Sequence, residues 1–216
     1  MPQTPVRTIC LLGREPGLRV LEWLLDHPSC FGVAAVWTHR LRPTLEDPVR
    51  SERPEFAAFE TLAEHHGFPL YAVDRKADAD LRDLATLEPY DLLLSLNWRF
   101  LVPGLRLGHA RLADLNLHRG ALPGYEGAEP VRRMLADGIG YAEISVHHMT
   151  ACYDQGEVVF AYRHPATIRA GETPRSAAER VKGELVPAYA ACVFQAVNRL
   201  LQVRGEPPLD SRCSPV

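Results

Sequence analysis

No apolar run in the 216-residue sequence approaches the roughly 20 residues a membrane-crossing helix needs. A helix-anchored membrane protein is excluded on that ground. The start, M-P-Q-T-P-V-R-T-I-C-L-L-G, enters a strand-like segment at once instead of forming a signal peptide, so a cytoplasmic location is expected. Cysteine is scarce: Cys10, Cys30, Cys152, Cys192 and Cys213 are odd in number, scattered and without a C-x-x-C pair. Neither a disulfide framework nor a zinc site is suggested, and reduced thiols filling a core are expected. Positive charge is not in excess, with 24 Lys and Arg against 27 Asp and Glu, a formal net charge of −3. Bulk attraction to nucleic acid or an anionic membrane surface is not implied, so neither is expected as a partner. Internal repeats, low-complexity segments and linkers are also missing, and with 46% hydrophobic residues the chain can bury one sizeable core. The reading is one domain over 1–205 and a loose tail over 206–216.

A dinucleotide fingerprint is absent as well. The first strand-to-helix turn reads G-R-E-P-G (13–17), which lacks the middle glycine that lets a backbone approach a pyrophosphate. That disfavours NAD or FAD and leaves an ordinary glycine turn or a place where Arg14 touches a substrate.

What is present is an alternation of strand and helix patterns. V-R-T-I-C-L-L-G (6–13) reads as a strand, and G-L-R-V-L-E-W-L-L-D (17–26) follows with a helical stripe. G-V-A-A-V-W-T (32–38) is a strand, 54–66 a helix closed by Gly67, 69–73 a short strand, and 77–87 a polar helix. D-L-L-L-S-L (91–96) suits a strand buried on both faces. This order predicts an α/β fold, an open, mostly parallel twisted sheet with helices on both faces. The second half predicts a strand at 114–118, a helix at 128–138, and an antiparallel strand pair at 143–149 and 156–163. One long helix from about 174 to 203 follows. Its Ala- and Val-rich stripe (Ala188, Ala190, Ala191, Val193, Val197) suits either the core or a second copy of the chain, so a homodimer is considered.

Polar residues stand out at one strand end. In a strand, i and i+2 share a face, so Asn116 and His118 emerge together while Leu115 and Leu117 go the other way. Strand carboxyl ends are where ligands bind in open α/β sheets. D-Q-G (154–156), between two candidate strands, adds a carboxylate at what is ordinarily just a turn former. Asn116, His118 and Asp154 together supply an amide donor, an imidazole and a carboxylate, a set able to polarise a carbonyl and handle a proton. Spacing alone does not bring them together.

N-L-H-R-G-A-L-P-G-Y-E-G (116–127), A-D-G (136–138) and S-V-H-H-M-T-A-C-Y-D-Q-G (145–156) resemble the signature of the folate-dependent formyltransferases. That pattern runs N-x-H-x-S-L-L-P-x-Y-x-G and ends in H-x-x-x-x-x-x-D-x-G, and the interval from Asn116 to Asp154 is the one the glycinamide ribonucleotide enzyme uses. The likeness is good over roughly residues 90–160 and weaker outside. S-L-N-W-R-F-L-V-P (95–103) is similar to the family's pterin-wrapping loop. The resemblance implies a Rossmann-like core, 10-formyltetrahydrofolate as formyl donor, no metal, and catalysis by Asn116, His118 and Asp154. It assigns Asn97, Trp98, Arg99, Phe100, Leu101, His147, Thr150 and Tyr153 to the folate, and Arg14, Arg119, Leu122 and Tyr125 to the acceptor side. Asn116 and protonated His118 would donate hydrogen bonds to the formyl oxygen, and Asp154 would favour the charged ring.

Departures bear on the acceptor. S-L-L-P is G-A-L-P here, Arg119 follows the histidine, and the glycinamide enzyme's phosphate-cradling turn is replaced by G-R-E-P-G, which disfavours glycinamide ribonucleotide. The short stretch after the core and the lack of basic charge disfavour initiator tRNA. The expected acceptor is a primary amine of a small metabolite: an amino sugar, an amino acid or peptide, or a natural-product intermediate. The alternatives are 10-formyltetrahydrofolate hydrolysis and a non-catalytic folate-binding relative.

Overall fold

The computed structural model describes residues 4–87 and 89–215. Seven strands occur in the order β3-β2-β1-β4-β5-β6-β7 along one hydrogen-bonded sheet. They are β1 (Val6–Leu12), β2 (Phe31–Thr38), β3 (Leu70–Ala72), β4 (Leu92–Leu96), β5 (Ala113–His118), β6 (Tyr141–His148) and β7 (Val158–Pro165). The expected parallel sheet with an antiparallel extension is what forms. The chain divides into two compact units, Met1–Leu115 and Asn116–Val216.

In the first unit β1 lies between β2 and β4, parallel to both, and β2 pairs in parallel with β3. Parallel strands joined by crossovers are covered on both faces, which is why β1 and β4 read as near-continuous Leu, Ile and Cys runs. Leu11, Leu12, Leu92, Leu93 and Leu94 are fully buried. Helix α1 (Arg14–Asp26) packs on β1 and β2, and α2 (Phe56–His66) on β3 and α1. The first helix starts three residues earlier than its periodicity suggested. Pro16 sits in the first turn, where a missing N–H breaks no intrahelical bond, so G-R-E-P-G begins the helix instead of delaying it. The expected polar helix over 77–87 is two 3-10 turns, Lys76–Asp78 and Arg82–Leu87. Leu81, buried and at φ 49, separates them, because burying that one apolar side chain takes a left-handed residue that no continuous helix tolerates.

His39, just past β2, anchors this unit. Its Nδ1–H donates to the Val73 carbonyl (2.5 Å), its Nε2 accepts the Arg99 N–H (3.1 Å), and its ring stacks on Trp98 at 4.4 Å. Burial holds its pKa down to about 3; the Val73 carbonyl opposes this, and the nearby Arg99, Arg53 and Arg14 charges reinforce it. The unfolded ring, at 6.5, binds a proton that the folded ring refuses. Stability therefore falls as pH drops from 6.5 toward 3, with a slope of up to about 1.4 kcal/mol per pH unit from this group. Denaturant midpoints measured between about pH 4 and pH 7 are expected to show that slope in the parent protein and to lose it in His39→Gln. An equal slope in both would remove His39 as the cause.

In the second unit β6 and β7 are antiparallel. Helix α3 (Pro130–Ala136) packs on β6 and on α4 (Pro174–Glu184), and α5 (Ala188–Val203) lies against β6 and β7. The single long helix expected from 174 to 203 is thus broken in two. Pro187 cannot supply the N–H an uninterrupted helix needs, so a hydrogen-bonded turn replaces the helix there and the chain restarts with Pro187 as the cap of α5. The Ala/Val stripe of α5 is covered within the chain: Val193, Phe194, Val197 and Leu201 are buried, each contributing about 2 kcal/mol. Residues 207–215 are held rather than loose. Leu209 and Cys213 are buried, and the Leu209 N–H donates to Asn198 Oδ1 at 2.7 Å. Cysteine chemistry also differs from expectation: Cys30 and Cys213 are disulfide-bonded, while Cys10, Cys152 and Cys192 are free. Neither residue had a signature in sequence, since no short spacing marks a disulfide.

Candidate active site

Strand β5 ends as its alternation predicts. Leu115 and Leu117 are buried on one face; Asn116 and His118 occupy the other. The chain then turns back on the His118 ring. A side chain at Gly120 would stand 2.8 Å from His118 Nε2, 2.7 Å from the Tyr125 oxygen and 2.6 Å from Pro130 Cβ, so only glycine fits. This close return puts the Tyr125 carbonyl 2.7 Å from His118 Nε2, which therefore carries a hydrogen and donates it.

Asp154 collects the other contacts. Its Oδ2 lies 3.2 Å from His118 Nδ1 and accepts the Gly127 N–H at 2.9 Å; its Oδ1 accepts Asn116 Nδ2 at 3.3 Å. Asn116 Nδ2 also lies 3.1 Å from Nε2 of His147, whose Nδ1 donates to the His148 carbonyl at 2.9 Å. A neutral His147 accepts the Asn116 hydrogen at Nε2; a charged one donates from Nε2 to Asp154 Oδ1, 3.4 Å away. The three residues that spacing could not connect thus meet around one carboxylate, with His147 as a fourth member.

Burial would raise the Asp154 pKa, but the hydrogen bond from His147, the His118 ring and the Gly127 N–H together carry it below the ordinary carboxylate value. Burial also dominates at His118 and holds its pKa below 6.5, against the pull of Asp154 and the Tyr125 carbonyl. The ring has a protein acceptor at each nitrogen, the Tyr125 carbonyl at Nε2 and Asp154 Oδ2 at Nδ1.

Other residues singled out by sequence are placed as follows. Tyr125 meets His118 through its backbone only; its hydroxyl donates to Asp137 at 3.0 Å and its ring lies under Arg133. Leu122 is half-buried in the turn, next to a cis peptide bond to Pro123. Arg119 lies just past the end of β5, and its charge acts on Tyr189 of α5, a buried hydroxyl that burial pushes up to about 12. Thr150 Oγ1 ties its own turn, bonding the Cys152 N–H and carbonyl, and Tyr153 is exposed. In the first unit, Arg14 pairs with Glu46, and Asn97, in a left-handed conformation at φ 57, donates to the Gly13 carbonyl at 3.4 Å. Trp98 is stacked on His39 and Arg99 is paired with Asp74 at 3.0 Å, so both side chains are spent inside the unit. Within 97–101, Phe100 is half-buried with its ring edge-on to His39 at 5.4 Å and to Trp98 at 5.8 Å, and Leu101 is exposed.

Sequence reasoning missed two buried polar residues beside the histidine: Glu143 and Ser145 share a strand face with His147. The signal was available in E-I-S-V-H, where a polar residue recurs at every second position of a strand. Among the described residues no His, Cys, Asp and Glu cluster could hold a metal ion, and no helix is long and apolar enough to cross a membrane.

The geometry joins an amide, an imidazole and a carboxylate at the end of a sheet strand, a set able to polarise a carbonyl and handle a proton. Residues 29–192 match the model of the formyl transferase family, and the chain belongs to that family. It is 30% identical over 187 residues to a methionyl-tRNA formyltransferase of Nitrosococcus oceani, covering 86% of this chain and 54% of that protein. The chain spans about half the length of the relatives of this kind that it matches. Among solved structures it is similar to glycinamide ribonucleotide transformylase 1 of Symbiobacterium toebii (TM-score 0.65, 22% identity, 97% of this chain and 92% of that one). It is also similar to a formyltetrahydrofolate deformylase of Pseudomonas syringae (TM-score 0.66, 15% identity, 92% of this chain and 62% of that one). These likenesses show a shared Rossmann-like fold.

Proposed function

We propose that residues 1–205 catalyse transfer of a formyl group from 10-formyltetrahydrofolate to a primary amine of a small metabolite. The observation that carries this reading is the joining of Asn116, His118 and His147 around Asp154. The folate supplies a formyl group on nitrogen, activated for acyl transfer. The acceptor nitrogen forms a bond to the formyl carbon, the bond from that carbon to the folate nitrogen breaks, and one proton passes from the amine to the folate nitrogen. Asn116 directs an N–H at the formyl oxygen as charge develops there. Neutral His118 takes the amine proton at Nδ1, where Asp154 and the Tyr125 carbonyl hold the resulting imidazolium, and then returns it to the leaving nitrogen. His147 orients Asn116 and Asp154. The resemblance supports assigning Asn97, Phe100, Leu101, Thr150 and Tyr153 to the folate.

The test is a titration with 5-formyltetrahydrofolate followed by turnover of 10-formyltetrahydrofolate with amino sugars, amino acids, methionyl-tRNA and no acceptor. Methionyl-tRNA belongs in the panel because relatives named for that acceptor match most of the chain. Transfer to a small amine is expected. Acceptor-independent formate release would show a hydrolase, and tight binding without any turnover a non-catalytic relative. For the active pair, the acid limb of kcat/KM is expected below pH 6.5, because burial lowers the His118 pKa and activity requires the neutral ring. A limb above 6.5 would contradict His118 as the base.

A further inference from the structure

Strand β6 carries Glu143, Ser145 and His147 at every second position, so the three point to one face. All are buried, at 3%, 0% and 2% exposure, which is unusual for a row of polar side chains. His147 ends the row against Asn116 and Asp154. At the other end Glu143 Oε2 accepts Arg163 Nε at 2.7 Å, from its register partner on β7. Ser145 stands between, its Oγ 3.0 Å from Glu143 Oε1 and 2.8 Å from the Gly120 carbonyl.

A serine has one hydroxyl hydrogen, and here two acceptors face it. Arg163 already satisfies the Glu143 carboxylate through its other oxygen, which weakens that group's claim and favours donation to Gly120. Gly120 is not a neutral anchor point. It is the residue whose missing side chain lets the turn close on His118, and the same turn delivers the Tyr125 carbonyl to His118 Nε2.

We propose that Ser145 is a positioning residue for His118: its hydroxyl clamps the Gly120 carbonyl and so sets the turn that holds the imidazole, with Glu143 and Arg163 fixing the hydroxyl's direction. The effect on rate rests on the formyl-transfer reading; the effect on the ring does not. A buried hydroxyl serving only the packing of β6 would leave the His118 environment unchanged. A clamp would not, because loosening the turn weakens the Tyr125 contact that favours the charged ring.

The experiment uses the full chain with isotope-labelled histidine, in the parent, Ser145→Ala and Ser145→Thr, with the His118 ring signals assigned by their loss in His118→Asn. Ser145→Ala is expected to move the His118 titration to lower pH and to cut kcat about tenfold with KM changed less than about twofold, as small misplacements of catalytic groups do. Ser145→Thr, which keeps the hydroxyl, is expected to restore both. If Ser145→Ala does not fold, Ser145→Cys, similar in size and a poor donor, is read in the same way. An unmoved titration in a folded Ala or Cys variant, or a Thr variant no better than Ala, overturns the proposal. A moved titration in a protein that transfers no formyl group overturns the catalytic reading and leaves the positioning role standing.

Discussion

Replacing Asp154 with asparagine is expected to cut formyl transfer by about a thousandfold while the protein stays folded. The carboxylate accepts on both sides: Asn116 Nδ2 at Oδ1, and the Gly127 N–H at Oδ2, where His118 Nδ1 also lies. Asparagine has a single acceptor oxygen, and its amide would turn a donor toward either Asn116 or Gly127. The Asn116 side chain then loses its orientation, and a proton arriving at His118 finds no opposing charge. The linkage is also defined. A carboxylate whose folded pKa lies below its ordinary value of 3.8 stabilises the protein above that value and stops doing so as pH falls through the lower, folded pKa. The variant should therefore lose acid sensitivity from this group as well as activity. Rates are followed by release of tetrahydrofolate and folding by circular dichroism; a folded variant within tenfold of the parent rate would end the assignment of Asp154.

Gly156→Ala is expected to have the largest effect on folding. A Cβ at that position would lie 1.7 Å from the His148 carbonyl oxygen and 3.3 Å from His147 Nδ1. No rotamer relieves a clash between a Cβ and a backbone oxygen, so the turn between β6 and β7 must open, and the His148 N–H to Glu157 carbonyl bond (2.9 Å) opens with it. A loss of about 3 kcal/mol is expected in denaturant unfolding. Asp154 sits two residues earlier in the same turn, so transfer should fall too, even under conditions where the variant is folded. A stability within about half a kcal/mol of the parent would show that the turn accommodates the methyl group and that the tight approach has no energetic weight.

The D-Q-G element illustrates what a sequence makes legible. Its aspartate could be read as a turn former, and its glycine had no reason at all until the hairpin brought the His148 carbonyl against it. Strands were readable to within a residue or two because burial on both faces leaves runs such as L-L-L-S-L. Boundaries set by a single residue's conformation were not: Leu81 at positive φ split one expected helix, and Pro187 split another. The shared face of Asn116 and His118 followed from strand periodicity, but their meeting with Asp154 depends on chain reversal after β5 and again after β6, which local pattern does not encode. The same limit hid the Tyr125 carbonyl, since a backbone acceptor has no residue-type signal.

With His118 and His147 both neutral, every hydrogen of the Asn116 amide and the single hydrogen of the His118 ring have a protein partner. On the formyl-transfer reading proposed above, an arriving formyl oxygen would enter as a competitor and would have to take a donor away from a carboxylate or an imidazole. A neutral carbonyl is a poor rival for that hydrogen, so the ground state gains little from the exchange. An oxygen that has become negative is a strong one. A network that is complete at rest thus discriminates by charge, yielding its donors chiefly when the bond to the amine is already forming.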